Sequence, residues 1–242
     1  MSMITYYTSK RARLYNQHWK VFSAKTHAAT SSVINFTELE KICHTREQPP
    51  RILDVACGTG LLLQQFAHLI PCAELYGTDA SEDMLAQARL SQAQVQFAQA
   101  SLHAGKTAGL PYEAGSFDLI TCTNALHNMK DPQGVLRGLA ELLAPQGQFV
   151  IEDFARRTFP FPWRIFEWFT RKRDPQHVLA YTLAEAQQFC QEAGLSVLAA
   201  KNFPIDSVWH GWVIHAQEAK THLPLVQKRG SLLSDEQGAQ GE

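Results

Sequence analysis

No run of about 18 consecutive apolar residues occurs in this 242-residue chain, which excludes a membrane-spanning helix of the usual length. Met1 to Lys10 contains no apolar core behind basic residues, so no secretory leader is expected there. Neither sign of charge is in excess. The 22 Lys and Arg against 23 Asp and Glu leave a formal charge of −1, and no overall field draws in nucleic acid. Cysteine is sparse: Cys43, Cys57, Cys72, Cys122 and Cys190, with no C-x-x-C pair. An odd, scattered set is expected to be reduced thiols in a cytoplasmic protein, not a disulfide scaffold. Metal-ligand spacings and internal repeats are also missing, so no metal is expected. The length and the 45% hydrophobic content fit one domain with a modest lid.

The most informative stretch is Arg51-Ile52-Leu53-Asp54-Val55-Ala56-Cys57-Gly58-Thr59-Gly60. Ile52, Leu53 and Val55 suit a strand buried on both faces. Gly58 and Gly60 permit positive φ or the close approach of a ligand. The helix expected to follow, Leu61 to Leu69, presents unpaired N–H groups in its first turn. Asp54, placed ahead of the glycines, is the unusual member. A carboxylate there repels a pyrophosphate and attracts a cationic head group.

Around this stretch strands and helices alternate. Residues 1–36 read as an aromatic, basic, helical flap carrying Tyr6, Tyr7, Tyr15, Trp19 and Phe22. A helix over 37–44 stops before Pro49-Pro50. Strands are expected at 74–78, 95–100, 117–123 and 148–152. Helices are expected at 82–93, capped by Ser81, and after Asp131-Pro132 as far as Leu143. Thr182-Leu183-Ala184-Glu185 is a capping box that opens a last helix ending at Gly194. Strands at 195–203 and 208–215, with a short join, should pair antiparallel. The expected fold is α/β: a doubly wound, seven-stranded, mostly parallel sheet with a C-terminal antiparallel hairpin. The main domain is expected over 37–229, with an aromatic-basic lid at about 154–175 and a disordered tail over 230–242.

Polar residues gather at three expected strand ends: Asp54 with its glycine turn, Asp79, and Ser101-Leu102. In an open α/β sheet the ligand lies at the carboxyl ends of strands, where strand order reverses. Asp79, about 20 residues past the glycine turn, is placed to accept hydrogen bonds from ribose hydroxyls, so a nucleoside is predicted. Leu63 stands where a dinucleotide fingerprint has its third glycine. Together with Asp54 this argues against a nicotinamide-dependent oxidoreductase.

Asp54-Val55-Ala56-Cys57-Gly58-Thr59-Gly60 resembles the first motif of class I S-adenosylmethionine-dependent methyltransferases, in the small-molecule and quinone-ring subgroup. Further segments follow in order. Ala12-x-x-Tyr15-Asn16 resembles the family's A-x-x-Y-D flap, and Leu110-Pro111-Tyr112 with Ser116-Phe117-Asp118 resembles its L-P-F…S-F-D segment. Leu126-His127-Asn128-Met129 with Asp131-Pro132 is similar to the segment past strand four. Leu143-Ala144-Pro145-Gln146-Gly147 is similar to the L-x-P-G-G turn, so the match covers about residues 6–153. The resemblance implies a Rossmann-like methyltransferase fold, S-adenosyl-L-methionine as cofactor and S-adenosyl-L-homocysteine as product. It implies that the backbone at Ala56, Gly58 and Gly60 lies against the methionine moiety, with Cys57 a small packing residue of the cofactor turn and Tyr15 of the flap also among the cofactor-binding residues. Asp54 would hold the amino group, Asp79 the ribose hydroxyls, and Ala80 and Met84 would flank adenine. Asn124 would lie beside the cofactor. Ser101 and Leu102 stand where the family has Asp and a small residue at the adenine amino group, and a serine accepts less strongly than a carboxylate.

Transfer of a sulfonium methyl is an in-line displacement, and alignment alone can supply roughly 7–11 kcal/mol. A general base is needed only where the acceptor loses a proton. His127 is the catalytic candidate, with His210 as a second base and Asp153 as a ligand for an acceptor hydroxyl. The expected acceptor is a small hydrophobic or aromatic molecule. The insert after strand five interleaves Phe159, Trp163, Trp168 and Phe169 with Arg164, Arg171 and Lys172. It suits a lid over such an acceptor and also peripheral membrane contact through 159–173. Thr123-Asn124-Ala125-Leu126 is unlike the N-P-P-Y tetrad of enzymes that methylate nucleic acid or protein, so no nucleic acid is expected as partner. The alternative is a cofactor-binding or scaffold protein of the same fold without catalysis, for which Ser101 is the best support.

Overall fold

The computed structural model describes residues 9–156, 163–173, 177–207 and 209–219. The tail expected over 230–242 and lid residues 157–162 and 174–176 lie outside the described residues.

Of the expected flap, residues 1–8 with Tyr6 and Tyr7 lie outside the described residues, and α1 (Ser9–His18) and α2 (Lys20–Ser31) follow. Helix α3 (Phe36–Thr45) follows, with the Asn35 side chain accepting from the Glu38 N–H at its start. The alternating core then runs β1 (Arg51–Val55), α4 (Leu61–Leu69), β2 (Glu74–Asp79), α5 (Glu82–Ser91), β3 (Gln96–Gln99), β4 (Phe117–Thr123) and α6 (Pro132–Ala140). It closes with β5 (Leu143–Phe154), α7 (Trp163–Arg173), α8 (Leu183–Glu192), β6 (Leu195–Pro204) and β7 (His210–Glu218). Side-chain caps from Ser81, Asp131 and Thr182 start α5, α6 and α8, the last through the expected capping box.

The seven strands form one sheet in the order β3-β2-β1-β4-β5-β7-β6. The first five are parallel, while β7 runs antiparallel between β5 and β6 as the expected hairpin. Each face carries its own core. Ile52 points to the face covered by Leu39 of α3 and by Leu62, Leu63 and Phe66 of α4. Leu53 points to the opposite face, with Leu136 and Leu139 of α6 and Cys190 of α8. Both strand residues are fully buried, as a strand covered on two sides requires. The chain leaves β1 toward β2 and β3, then returns to place β4 on the other side of β1. The crossovers at β1 and β4 therefore diverge and open a crevice at their carboxyl ends.

Two expectations are corrected. Strand β5 begins at Leu143, which pairs with Phe117, and a register shift between Phe117 and Leu119 takes up the turn residues. The sequence suggested a turn there because Pro145-Gln146-Gly147 looks like one. It is instead a distortion inside the strand, with Gln146 at φ 66°. Cys43 and Cys72 are disulfide-bonded, with Cα atoms 6.3 Å apart, so the expectation of five reduced thiols fails for that pair. Helices α3 and α4 pack on the same face of the sheet, which brings the end of one beside the turn after the other. Cys57, Cys122 and Cys190 are free thiols. No helix among the described residues is long and apolar enough to cross a membrane.

Candidate functional site

A cavity of about 400 Å³ opens at the carboxyl ends of β1, β2 and β4, with α1 and α2 over it. Its size suits a nucleoside-sized ligand. Tyr15, Asp54, Ala56, Cys57, Gly58, Asp79, Ala80, Met84, Leu102 and Asn124, all expected in a cofactor site, line this one cavity. Gly60 and Ser101 do not. Gly60 turns away to cap α4 at φ 75°, and Gln92 packs against it so closely that a Cβ would lie 2.5 Å from the Gln92 Nε2. Ser101 is exposed, and His103 and Ala104 of the following loop reach the wall instead.

The glycine turn is closed by its own hydrogen bonds. Cys57 N–H donates to the Thr78 carbonyl at 2.9 Å and Gly60 N–H to the Cys57 carbonyl at 2.9 Å. Gly58 N–H donates to Asp79 Oδ2 at 2.9 Å, while Ser81 N–H donates to Asp79 Oδ1 at 2.8 Å. These three turn amides are therefore committed and cannot cradle a phosphate. Asp79 keeps acceptor capacity beyond these amides. Thr121 Oγ1 donates to Asp54 Oδ1 at 2.7 Å, which leaves Oδ2 for a ligand. Ala56 and Asn124, the residues just past β1 and β4, both adopt left-handed backbone at φ 54° and φ 51°. Strain of this kind, worth of order 1–3 kcal/mol each, concentrates where a backbone is shaped for a ligand.

The wall is acidic. Burial raises the Asp54 carboxyl to about 7, against the Thr121 hydrogen bond and with a smaller push from Asp79. Burial also raises Asp79, against amide hydrogen bonds from Ser81, Gly58 and Ala80. The Tyr15 phenol is pushed up to about 12 by burial and then by the Asp79 and Glu152 carboxylates. Lys130, exposed at the rim, is the wall's one Lys or Arg among the described residues. Anions are disfavoured here, and a cation lowers the cost of ionising Asp54 and Asp79.

Helices α1 and α2 are attached to the site by side chains. Thr59 of the glycine turn hydrogen-bonds Asn16 of α1, next to Tyr15. Thr26 Oγ1 donates to the Ser23 carbonyl, so it can only accept from Asn124 Nδ2, at 3.2 Å. This ties α2 to the end of β4. It also brings in two wall residues absent from the sequence reading, Ser23 and His27. Their signal was misleading. Ser23, Thr26, His27 and Thr30 recur at helical spacing, a polar stripe that ordinarily faces water, yet all four are buried. Burial lowers the His27 imidazole to about 4, so it is neutral near pH 7.

His127 lies in a short 3-10 turn after β4, and its ring is not on the cavity wall, although its neighbours Ala125 and Asn128 are. Asp153 holds it twice, accepting from the His127 N–H at 2.8 Å through Oδ2 and meeting Nδ1 at 2.8 Å through Oδ1. Asp153, expected as the ligand for an acceptor hydroxyl, holds His127 in this way and does not line the cavity. That contact places a ring proton on Nδ1, and Nε2 has no hydrogen bond among the described residues. The ring packs 4.5 Å from Phe154 and 5.6 Å from His177, centroid to centroid. His177 in turn hydrogen-bonds Glu167 of α7, whose other oxygen accepts from Ala180 N–H at 3.1 Å. Val178 and Leu179 amides donate to the His127 carbonyl, so α7 is anchored to the turn beside the cavity. His210, the other expected base, starts β7 and does not line the cavity.

A family model described as a methyltransferase domain matches residues 48–204. An uncharacterized methyltransferase of Bacillus subtilis, YcgJ, is 26% identical over 163 residues, covering 67% of this chain and 64% of the relative. The demethylmenaquinone methyltransferase of Lactococcus lactis is 33% identical over 144 residues, covering 56% of this chain and 55% of the relative. The chain thus spans less than two thirds of the length of either. The crystal structure of magnesium protoporphyrin IX methyltransferase from Synechocystis, with S-adenosylhomocysteine bound, superposes with a TM-score of 0.66 at 16% identity. That match covers 89% of this chain and 98% of the other, so the two share a fold.

Proposed function

This chain belongs to the methyltransferase-domain family, and from that premise we propose that it is an S-adenosylmethionine-dependent methyltransferase of a small hydrophobic or aromatic acceptor. One observation carries the choice of cofactor: the buried Asp54 and the half-buried Asp79 stand on a wall whose one Lys or Arg, among the described residues, is exposed, beside a glycine turn with three committed amides. A dinucleotide pyrophosphate meets three committed turn amides and two carboxylates there. S-adenosylmethionine, with an ammonium and a sulfonium, fits the donor set and the acidic field. When bound, it supplies an already activated methyl group.

The chain's own residues then have positioning tasks. Asp79 accepts from the ribose hydroxyls with the acceptor capacity left over from its amide donors, and Asp54 Oδ2 receives the ammonium. Met84 and Leu102 offer apolar surface to the adenine. Tyr15 remains a protonated phenol throughout the physiological range and can donate a hydrogen bond from the flap. His127, oriented by Asp153, is the base for an acceptor that reaches between the 3-10 turn and α7. We assign 1–36 as flap, 37–229 as the catalytic domain and 230–242 as tail.

The names of the relatives support a small acceptor, since demethylmenaquinone is itself a lipophilic ring. Nucleic acid fits poorly with an acidic cavity and a formal charge of −1. Ile165, Trp168 and Phe169 of α7 are more than half exposed, and Lys172 Nζ stands 3.7 Å above the Trp168 ring. We read this surface as a peripheral membrane contact. The test is transfer of labelled methyl from S-adenosylmethionine into a cell extract by the purified protein. Label is expected in the solvent-extractable small molecules; label confined to precipitated protein or nucleic acid would overturn the acceptor class.

A further inference from the structure

We infer that Glu152, at the end of β5 beneath α2, forms with Asn124 Oδ1 the subsite for the reacting nitrogen of the methyl acceptor, so that the acceptor is an amine. The inference rests on the methyltransferase reading above and names the acceptor's reacting atom. Glu152 is fully buried, yet neither of its carboxyl oxygens meets a hydrogen-bond donor among the described residues. Asn124 Oδ1 is also buried without a partner there, although Nδ2 of the same amide donates to Thr26. The two residues are neighbours, since the Asn124 N–H donates to the Glu152 carbonyl at 3.0 Å. A buried acceptor without a donor has lost its water for nothing in return. Three such oxygens in one place call for a ligand rich in donors.

Strand pairing sets this group beside the cavity. Glu152 pairs with Thr123 of β4, and Thr123 and Asn124 both line the cavity. Neighbouring strands lie about 4.8 Å apart, so Glu152 extends the cavity floor by one strand. It also pairs with Val213, which shares a core with Ala29 of α2. Asp153 pairs instead with Trp212 of the opposite core and holds His127. Strand β5 therefore ends with Glu152 on one face and the His127 pair on the other. Asp79 and Asp54 take the ends of β2 and β1, which leaves the ends of β4 and β5 to the acceptor. An acceptor reaches Glu152 under α2 by exchanging the Asn124–Thr26 hydrogen bond for its own donors.

Charge decides the class of donor. Burial, with a smaller push from Asp153 and against the Asn124 backbone N–H, raises the Glu152 carboxyl well above its ordinary range. A cation beside it removes that cost. The field of Glu152 reaches the wall, where the Tyr15 phenol is raised by burial, then by Asp79 and Glu152. A hydroxyl nucleophile gains negative charge as its proton leaves, which Asp54, Asp79 and Glu152 oppose. An amine gains positive charge, which they favour. An ammonium entering this space gives one proton to His127 Nε2. The freed lone pair forms the new C–N bond while the methyl C–S bond breaks with its pair on sulfur. The positive charge thus passes to nitrogen, where the Glu152 carboxylate receives it.

The test offers methyl-deuterated S-adenosylmethionine and a cell extract to the wild type and to Glu152→Gln, with mass spectrometry locating the deuterated methyl in the product. The wild-type product should carry it on nitrogen. Glu152→Gln keeps an acceptor oxygen but no charge, so transfer should fall about tenfold to a hundredfold while calorimetric affinity for S-adenosylhomocysteine stays within about twofold. A deuterated methyl on oxygen or carbon, or equal transfer by Glu152→Gln, would overturn the subsite, as would an equal loss of S-adenosylhomocysteine affinity. Wild type that binds no S-adenosylhomocysteine, or labels nothing, would overturn the methyltransferase reading instead. Should circular dichroism find the Gln variant unfolded, Glu152→Met, which fits a similar space without a charge, carries the same expectation.

Discussion

Asp54 holds a proton up to about pH 7, whereas its ordinary value is 3.8. Between those values the folded protein binds a proton that the unfolded chain has released. Its burial therefore costs stability progressively as pH rises through that window, and the cost is constant above it. A ligand ammonium at Oδ2 stabilises the ionised form and expels the proton. Affinity for S-adenosylmethionine should thus fall as pH drops from about 8 to 6, by at most tenfold per unit for one proton, and Asp54→Asn should flatten that dependence. Calorimetry in buffers of different ionisation enthalpy reads the released proton directly. Asp54 and Asp79 were legible in the sequence because their spacing from the glycine turn has a geometric meaning. His27 was not, since a buried polar stripe and a solvent-facing one share the same period. Asn124 was expected beside the cofactor, but its left-handed backbone and its tie to Thr26 arise only from the packing of α2 on β4.

Gly60 sets the start of α4 at the β1–α4 join. Gly60→Ala places a Cβ 2.5 Å from Gln92 Nε2 at a backbone φ of 75°. Thermal unfolding should report a loss of about 1–3 kcal/mol, the usual cost of a residue forced into the left-handed region. Gly60 was expected to touch the cofactor; its packing role depends on α5 ending beside the turn, which no local pattern reveals. Helix α7 offers the complementary case. Its aromatic and basic composition was evident, but the residues that remain outside could be told only from the fold: Glu167 is buried under His177, while Trp168 and Phe169 face out. Removing both rings by Trp168→Ala/Phe169→Ala should lower recovery with anionic liposomes in flotation at least about tenfold, from the apolar surface lost. Equal recovery would assign α7 to the acceptor alone.

Across the whole molecule, alternation of apolar strands with capped helices specified the parallel sheet, and the short join specified the hairpin. Strand order placed β1 beside β4 and so created the crevice. The Cys43–Cys72 disulfide was invisible in the sequence because it depends on α3 and α4 sharing one face. The cavity brings together flap, glycine turn and strand ends from residues as far apart as Tyr15 and Val135. Its common property is charge: committed amides and the carboxylates of Asp54 and Asp79 around a space of about 400 Å³. Calorimetric titration of the wild type with S-adenosylhomocysteine tests that property most directly, with Asp79→Ala and NADH as comparisons. One equivalent should bind saturably, about tenfold to a hundredfold more weakly to Asp79→Ala for the lost hydrogen bonds to a charged group, and NADH should give no heat of binding. Absence of S-adenosylhomocysteine binding at 100 μM-scale ligand, or saturable binding of NADH in its place, would refute the assignment.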